Sequence, residues 1–138
     1  MKPVLADTGF LVAAYDKREP YHSLCLQVYR ALQSQPVTCE PVIAETLHLL
    51  RFVPGAVEDI LASVEQGILE IPFKLNASAG PVKKIMKKYR DVQADFADAC
   101  LIHMADELDT GDILTLDSDF LHYRWRRSRS FRLLIPLA

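Results

Sequence analysis

Short apolar runs alternate along this chain with longer segments in which apolar residues recur at helical spacing. Pro3 to Ala6, Val37 to Cys39, Leu69 to Pro72, Ile113 to Leu116 and Phe131 to Ile135 have the length and composition of buried strands. Between them, Tyr21 to Gln33 carries Leu24, Val28, Ala31 and Leu32 at helical intervals, and Val42 to Phe52 repeats the pattern with Ile43, Leu47 and Leu50. Pro54-Gly55 breaks the chain before a helix from about Val57 to Glu65. Further helices are predicted from Ser78 to about Arg90, with Lys83, Lys84, Lys87 and Lys88 on the exposed side, and from Asp95 to Leu108, where Gly111 ends the element. Strand then helix, repeated, predicts an α/β fold with a parallel sheet covered on both faces.

The 138 residues, 50% hydrophobic and 25% charged, match one globular domain with its own core and exclude a disordered chain. No repeat, low-complexity tract or Gly/Ser-rich linker divides them, so a single domain over residues 1–138 is expected. Cys25, Cys39 and Cys100 are an odd number without C-x-x-C spacing and read as buried small hydrophobes in a reducing, cytoplasmic setting. No apolar run approaches the roughly 20 residues of a membrane helix. The apolar start is not read as a signal peptide, because Asp7 interrupts it.

Charge is unevenly spread. Five of the 16 basic residues are the arginines 124, 126, 127, 129 and 132, in a tail without acids, which leaves 11 basic against 18 acidic residues in positions 1–123, a net of −7 within an overall −2. An acidic body with a basic end does not describe a general nucleic-acid coat, but it suits a polyanion held at one edge of an acidic site.

In a parallel sheet of this kind, ligands bind beyond the carboxyl ends of the strands. Val4-Leu5-Ala6 runs directly into Asp7, and Ile113-Leu114-Thr115-Leu116 runs into Asp117, with Asp119 two residues on. Glu45 stands near the start of a mostly apolar helix, and Asp95 and Asp98 open another at i and i+3, on one face of its first turn. Each acid also has an ordinary reading as a helix cap or a first-turn acid answering the helix dipole. Their joint placement at strand ends and helix starts points instead to convergence. Converging carboxylates raise one another's pKa, a conflict that a divalent cation removes. An all-oxygen set without Cys or His selects Mg²⁺ or Mn²⁺ over zinc, and such ions activate water for in-line displacement at a phosphodiester.

These residues resemble the PIN-domain family, and within it the VapC-type toxin ribonucleases. The opening strand with Asp7-Thr8-Gly9, the Glu45 helix, Asp95-Phe96-Ala97-Asp98-Ala99 and Ile113-Leu114-Thr115-Leu116-Asp117-Ser118-Asp119-Phe120 match that family in order and approximate spacing, over nearly the whole chain. The resemblance implies an α/β/α sandwich around a parallel sheet, a Mg²⁺ or Mn²⁺ cofactor and endonucleolytic cleavage of RNA. It also implies inhibition by a small cognate antitoxin, and contacts of that antitoxin and of a second copy in a homodimer with helices between Pro41 and Val64. Residue by residue, it makes Asp7, Glu45, Asp98 and Asp117 the acidic quartet, with Asp7 and Asp98 as leading metal ligands. Thr8 and Thr115 match hydroxyl positions beside those acids, and Asp95 and Asp119 stand next to quartet members as substitutes or supporting groups.

Other signals are weaker. Asp117-Ser118-Asp119 resembles a D-x-D phosphatase opening, but only 19 residues follow Asp119. A receiver domain needs paired acids after the first strand, where Asp7 stands alone. Glu45-Thr46-Leu47-His48 is half of a di-iron signature without its second copy, and His22, His103 and His122 share no metal-binding spacing. Tyr123-Arg124-Trp125-Arg126-Arg127-Ser128-Arg129 interleaves aromatics with arginines, which suits phosphate contacts and base stacking, so Arg124, Arg126, Arg127 and Arg129 are candidate RNA-binding residues. Following closely on Asp117, they are expected at the acidic end of the sheet, although a solvated turn into the last strand reads equally well. A non-catalytic RNA-binding or scaffold module of the same fold is the alternative function. A branched-DNA nuclease needs clamping insertions for which 138 residues leave no room.

Overall fold

A computed structural model of the chain describes residues 1–137. Four short strands, β1 (Val4–Ala6), β2 (Pro36–Val37), β3 (Asp112–Leu114) and β6 (Arg132–Leu133), form one sheet in the order β2-β1-β3-β6. Every neighbouring pair is parallel, with Val4 opposite Pro36, Leu5 opposite Ile113, and Ile113 opposite Leu133. All three residues of β1 are buried although their side chains alternate between faces, so helices cover the sheet on both sides. The expected α/β/α architecture is the one observed.

The intervening helices are α1 (Thr8–Tyr15), α2 (His22–Ala31), α3 (Glu40–Leu49), α4 (Ala56–Glu65), α5 (Leu75–Lys88) and α6 (Phe96–Leu108). The sequence pattern did not single out α1, for a physical reason: Thr8, Phe10, Leu11, Val12, Ala13 and Ala14 are all buried. A helix wrapped on nearly every side carries no apolar stripe to betray it. The same burial marks α6, where Ala97 to Ala105 is continuously covered.

Three expectations need correction. Leu69–Pro72 is not a strand; Glu70 makes a single parallel bridge to Val37, and Pro72, without an N–H, cannot extend a ladder there. Helix α6 is not stopped by Gly111 but by Asp109, which adopts the left-handed conformation (φ 54°) while Thr110 N–H donates to the Ala105 carbonyl. The arginine-rich tail is not a plain turn. It forms an antiparallel hairpin of β4 (Arg124–Trp125) and β5 (Arg129–Ser130).

That hairpin explains Gly111. A Cβ at position 111 would collide with the indole of Trp125, which is buried and held by its Nε1 donating to Ser130 O at 3.1 Å. The indole cannot swing away without breaking that bond. Gly111→Ala is therefore expected to lower the unfolding free energy by about 1–3 kcal/mol, the usual range for overpacking; urea denaturation monitored by Trp125 fluorescence measures it.

Candidate metal-dependent active site

The strand order reverses around β1: the first crossover leads to β2 on one side, and the chain then returns to place β3 on the other. At that switch point, beyond the carboxyl ends of β1 and β3, lies a cavity of about 240 Å³. It is lined by Asp7, Thr8, Glu45, Asp95, Asp98 and Asp117 among others, and, among the described residues, by no Lys, Arg or His.

Each acid arrives by a separate local device. Asp7 follows β1 and caps α1, its Oδ1 accepting from Thr8 N–H at 2.8 Å, while its own N–H donates to Leu114 O at 3.0 Å and continues the β1–β3 pairing. Asp117 caps the 3-10 turn Ser118–Leu121 by accepting from Asp119 N–H at 2.9 Å. Asp95 caps α6, accepting from Asp98 N–H at 2.8 Å, and so fixes the first turn from which Asp98 projects. Thr115 joins two of these arms: its hydroxyl donates to Asp7 Oδ2 at 2.8 Å and accepts from Asp117 N–H at 3.0 Å.

Asp7, Asp98 and Asp117 each bring a carboxylate oxygen within 4.8 Å of the other two. Of the expected quartet these three form the cluster. Glu45 lines the same cavity from α3 but is exposed and stands outside the trio. Asp95 also lines the cavity, whereas Asp119 is exposed and does not. Tyr123, read in the sequence as part of a stacking tail, belongs here instead: its ring is 1% exposed and its hydroxyl donates to Asp98 Oδ2 at 3.0 Å. The only sequence signal for it was an aromatic a few residues beyond Asp117.

Burial and crowding set the electrostatics. Burial first, then the nearby Asp117 and Asp95 charges, push the Asp7 carboxyl up to about 6, against the pull of the Thr115 hydroxyl and the Thr8 N–H. Burial, with Asp95 and Asp7 adding to it, pushes Asp98 up to about 7 despite the Tyr123 hydroxyl. The Tyr123 phenol is pushed upward, mainly by burial and then by the Asp98 charge.

The donor set fits a hard divalent cation. All the cluster atoms are carboxylate oxygens, no protein cation offsets them, and the buried Thr8 hydroxyl beside them has no hydrogen-bond partner among the described residues.

The candidate RNA-binding arginines lie elsewhere. Arg126 pairs with Asp109 at 2.7 Å, and Trp125 packs over Gly111, so the hairpin tip sits at the amino end of β3, opposite the acids. Arg129 stacks on the Trp125 ring. Tyr123 and Trp125 are themselves buried and present no face to a base.

A family model, the PIN domain, matches residues 4–126. The chain belongs to the PIN-domain family. Among curated proteins it is similar to Ribonuclease VapC26 of Mycobacterium tuberculosis (strain ATCC 25618 / H37Rv), 28% identical over 116 residues that cover 83% of this chain and 86% of that one. Among solved structures the fold is similar to Mycobacterium tuberculosis VapC20, a Sarcin-Ricin loop cleaving toxin, with a TM-score of 0.79, 16% identity, and coverage of 91% of this chain and 98% of the other.

The raised carboxyls give a stability signature. An unfolded Asp has a pKa near 3.8, whereas Asp7 and Asp98 keep their protons to about 6 and 7 when folded. Between these limits the folded chain binds more protons, so the contribution of these two groups to stability is full below about pH 4. It is lost as pH rises through 6 to 7. Adding Mn²⁺ is expected to raise Tm more at pH 7.5 than at pH 5.5, and Asp98→Asn to raise the Tm of the metal-free protein at pH 7.5 while abolishing the Mn²⁺ response. Thermal scans at both pH values check this.

Proposed function

We propose that this PIN-domain protein is an endoribonuclease that hydrolyses RNA phosphodiester bonds with Mg²⁺ or Mn²⁺, and that it acts as the toxin of a toxin–antitoxin pair. One observation carries the catalytic part: five carboxyl groups line a cavity with no protein cation, three of them within 4.8 Å of one another. A non-catalytic module has no use for so costly an arrangement, because uncompensated buried charge destabilises the fold. The similarity to a ribonuclease and to an RNA-cleaving toxin supports RNA as the substrate.

When bound, a divalent cation would supply Lewis-acid polarisation of the scissile phosphate and a bound water more acidic than bulk water. The chain's own residues prepare that chemistry. Asp7, Asp98 and Asp117 would hold the ion. Thr115 and Thr8 N–H orient the Asp7 carboxylate, and Tyr123 holds the Asp98 carboxylate through one of its oxygens. Glu45 and Asp95, at the rim, are placed to orient the attacking water or accept its proton. With no basic side chain at hand, the cavity repels a phosphodiester unless a cation is present, which makes catalysis strictly metal-dependent.

The partner part draws on α3, α4 and the turn between them. Leu50, on the apolar stripe of its helix, is fully buried and belongs to the core, but Leu49, Phe52 and Leu61 remain exposed, Phe52 by 81%. Such side chains suit a covering antitoxin helix or a second copy of the chain in a homodimer.

With total cellular RNA as substrate, Asp98→Asn and Asp7→Asn are each expected to reduce cleavage at least about a thousandfold, or roughly 4 kcal/mol of barrier. Asp95→Asn should cost less, and Mg²⁺ or Mn²⁺ but not EDTA should sustain the wild type. Gel analysis of the fragments reads all of this. Wild-type cleavage matched by Asp98→Asn would assign the activity to a contaminant.

A further inference from the structure

A second cavity, of about 360 Å³, lies between α5 and the β4–β5 hairpin. Its charged lining is Lys84, Lys88, Arg124, Arg126 and Arg127, with Asp106 the one acid. The lysine face and the arginine tail, separate features along the sequence, are thus two walls of one groove. Arg126 is committed to Asp109, and Asp106 accepts the Arg126 backbone N–H at 2.6 Å. Among the described residues, Lys84, Lys88, Arg124 and Arg127 make no ion pair. Four unneutralised cations thus share a concave site in a chain whose net charge is −2.

Two features give the groove direction and cost. Ile102 and Asp106 on its floor follow Asp98 at i+4 and i+8 along α6, so the groove continues the helical stripe that begins in the acidic site, about 12 Å away at 1.5 Å per residue. Tyr89 forms the wall between: its ring packs edge-on against Tyr123 at 5.0 Å, and Tyr123 reaches Asp98. At the far end, Arg126 (φ 43°) and Arg127 (φ 71°) both adopt left-handed backbone, where glycine or asparagine is the easy choice. Arginine stands at both positions against its conformational preference.

We propose that this groove holds the sugar-phosphate backbone of the RNA substrate about three to four stacked nucleotides from the scissile bond, at ~3.4 Å each. The proposal rests on the ribonuclease reading and extends it to a site that supplies affinity while the acids supply chemistry. Cations set back from the carboxylates attract a polyanion without neutralising the metal cluster.

The test uses the full chain and a short fluorescein-labelled single-stranded RNA of mixed sequence, titrated in EDTA from about 50 to 200 mM salt. The double variant Lys84→Ala, Lys88→Ala should bind about tenfold more weakly and lose about 1.4 from the slope of log K against log salt, two phosphate contacts at ~0.7 each. Lys83→Ala with Lys87→Ala removes the same charge from the same helix outside the groove and should leave the slope unchanged. In cleavage assays the first pair should raise KM and spare kcat. Equal behaviour of the two pairs overturns the groove. So does a glutamate-rich peptide that binds as tightly as the RNA and is lost with the same lysines, since that marks a protein-docking site. Groove-dependent RNA binding by a chain that cuts no RNA overturns the ribonuclease reading instead, and cleavage indifferent to Lys84 and Lys88 overturns the groove alone.

Discussion

The hydroxyl of Thr115 ties the amino-terminal half of the chain to the carboxyl-terminal half at the point where the chemistry is placed. It donates to the Asp7 carboxylate and accepts from the Asp117 backbone, 108 residues apart along the chain for the first contact and two for the second. That bond is available because β1 and β3 pair in parallel with Ala6 opposite Leu114, which brings both carboxyl ends to one edge in register. A slip of one residue would turn Asp7 or Thr115 to the other face of the sheet. Register, more than any single acid, therefore makes the site.

Holding several carboxyls together is electrostatically expensive, and the local backbone reduces the expense. Asp7, Asp95 and Asp117 each cap a helix or 3-10 turn, and Asp98 sits in the first turn of α6. The N–H groups at those starts and the positive ends of the helix dipoles favour the ionised forms. They do not suffice, since Asp7 and Asp98 remain well above the usual carboxylate range because of burial. A divalent cation among these carboxylates would relieve that strain. The basic residues of the α5–hairpin groove, by contrast, lie behind the Tyr89–Tyr123 wall or at the far end of α6, away from the cluster.

Much of this was legible in the sequence, for identifiable reasons. Acids directly after apolar runs announced Asp7 and Asp117, and the i, i+3 pair announced Asp95 and Asp98, because strand ends and helix starts are local features. What depends on long-range packing was not legible. The all-round burial of α1 erased its periodicity, and the separation of Glu45 and Asp119 from the central trio depends on where α3 and the Ser118–Leu121 turn point. The interleaved aromatics of the tail looked available for bases, yet Tyr123 and Trp125 turn inward as core residues. An arginine's distance from Asp117 along the chain said nothing about distance in space once β4 ran back along α6.

The account stands or falls on a cation bound among Asp7, Asp98 and Asp117. Crystals grown or soaked with Mn²⁺ and measured for anomalous scattering address it without reference to any RNA. The expected result is a peak between these three carboxylates, with Mn–O distances of roughly 2.0–2.3 Å. A clear anomalous map with no peak there at millimolar Mn²⁺, or with Mn²⁺ bound only elsewhere, would contradict the account.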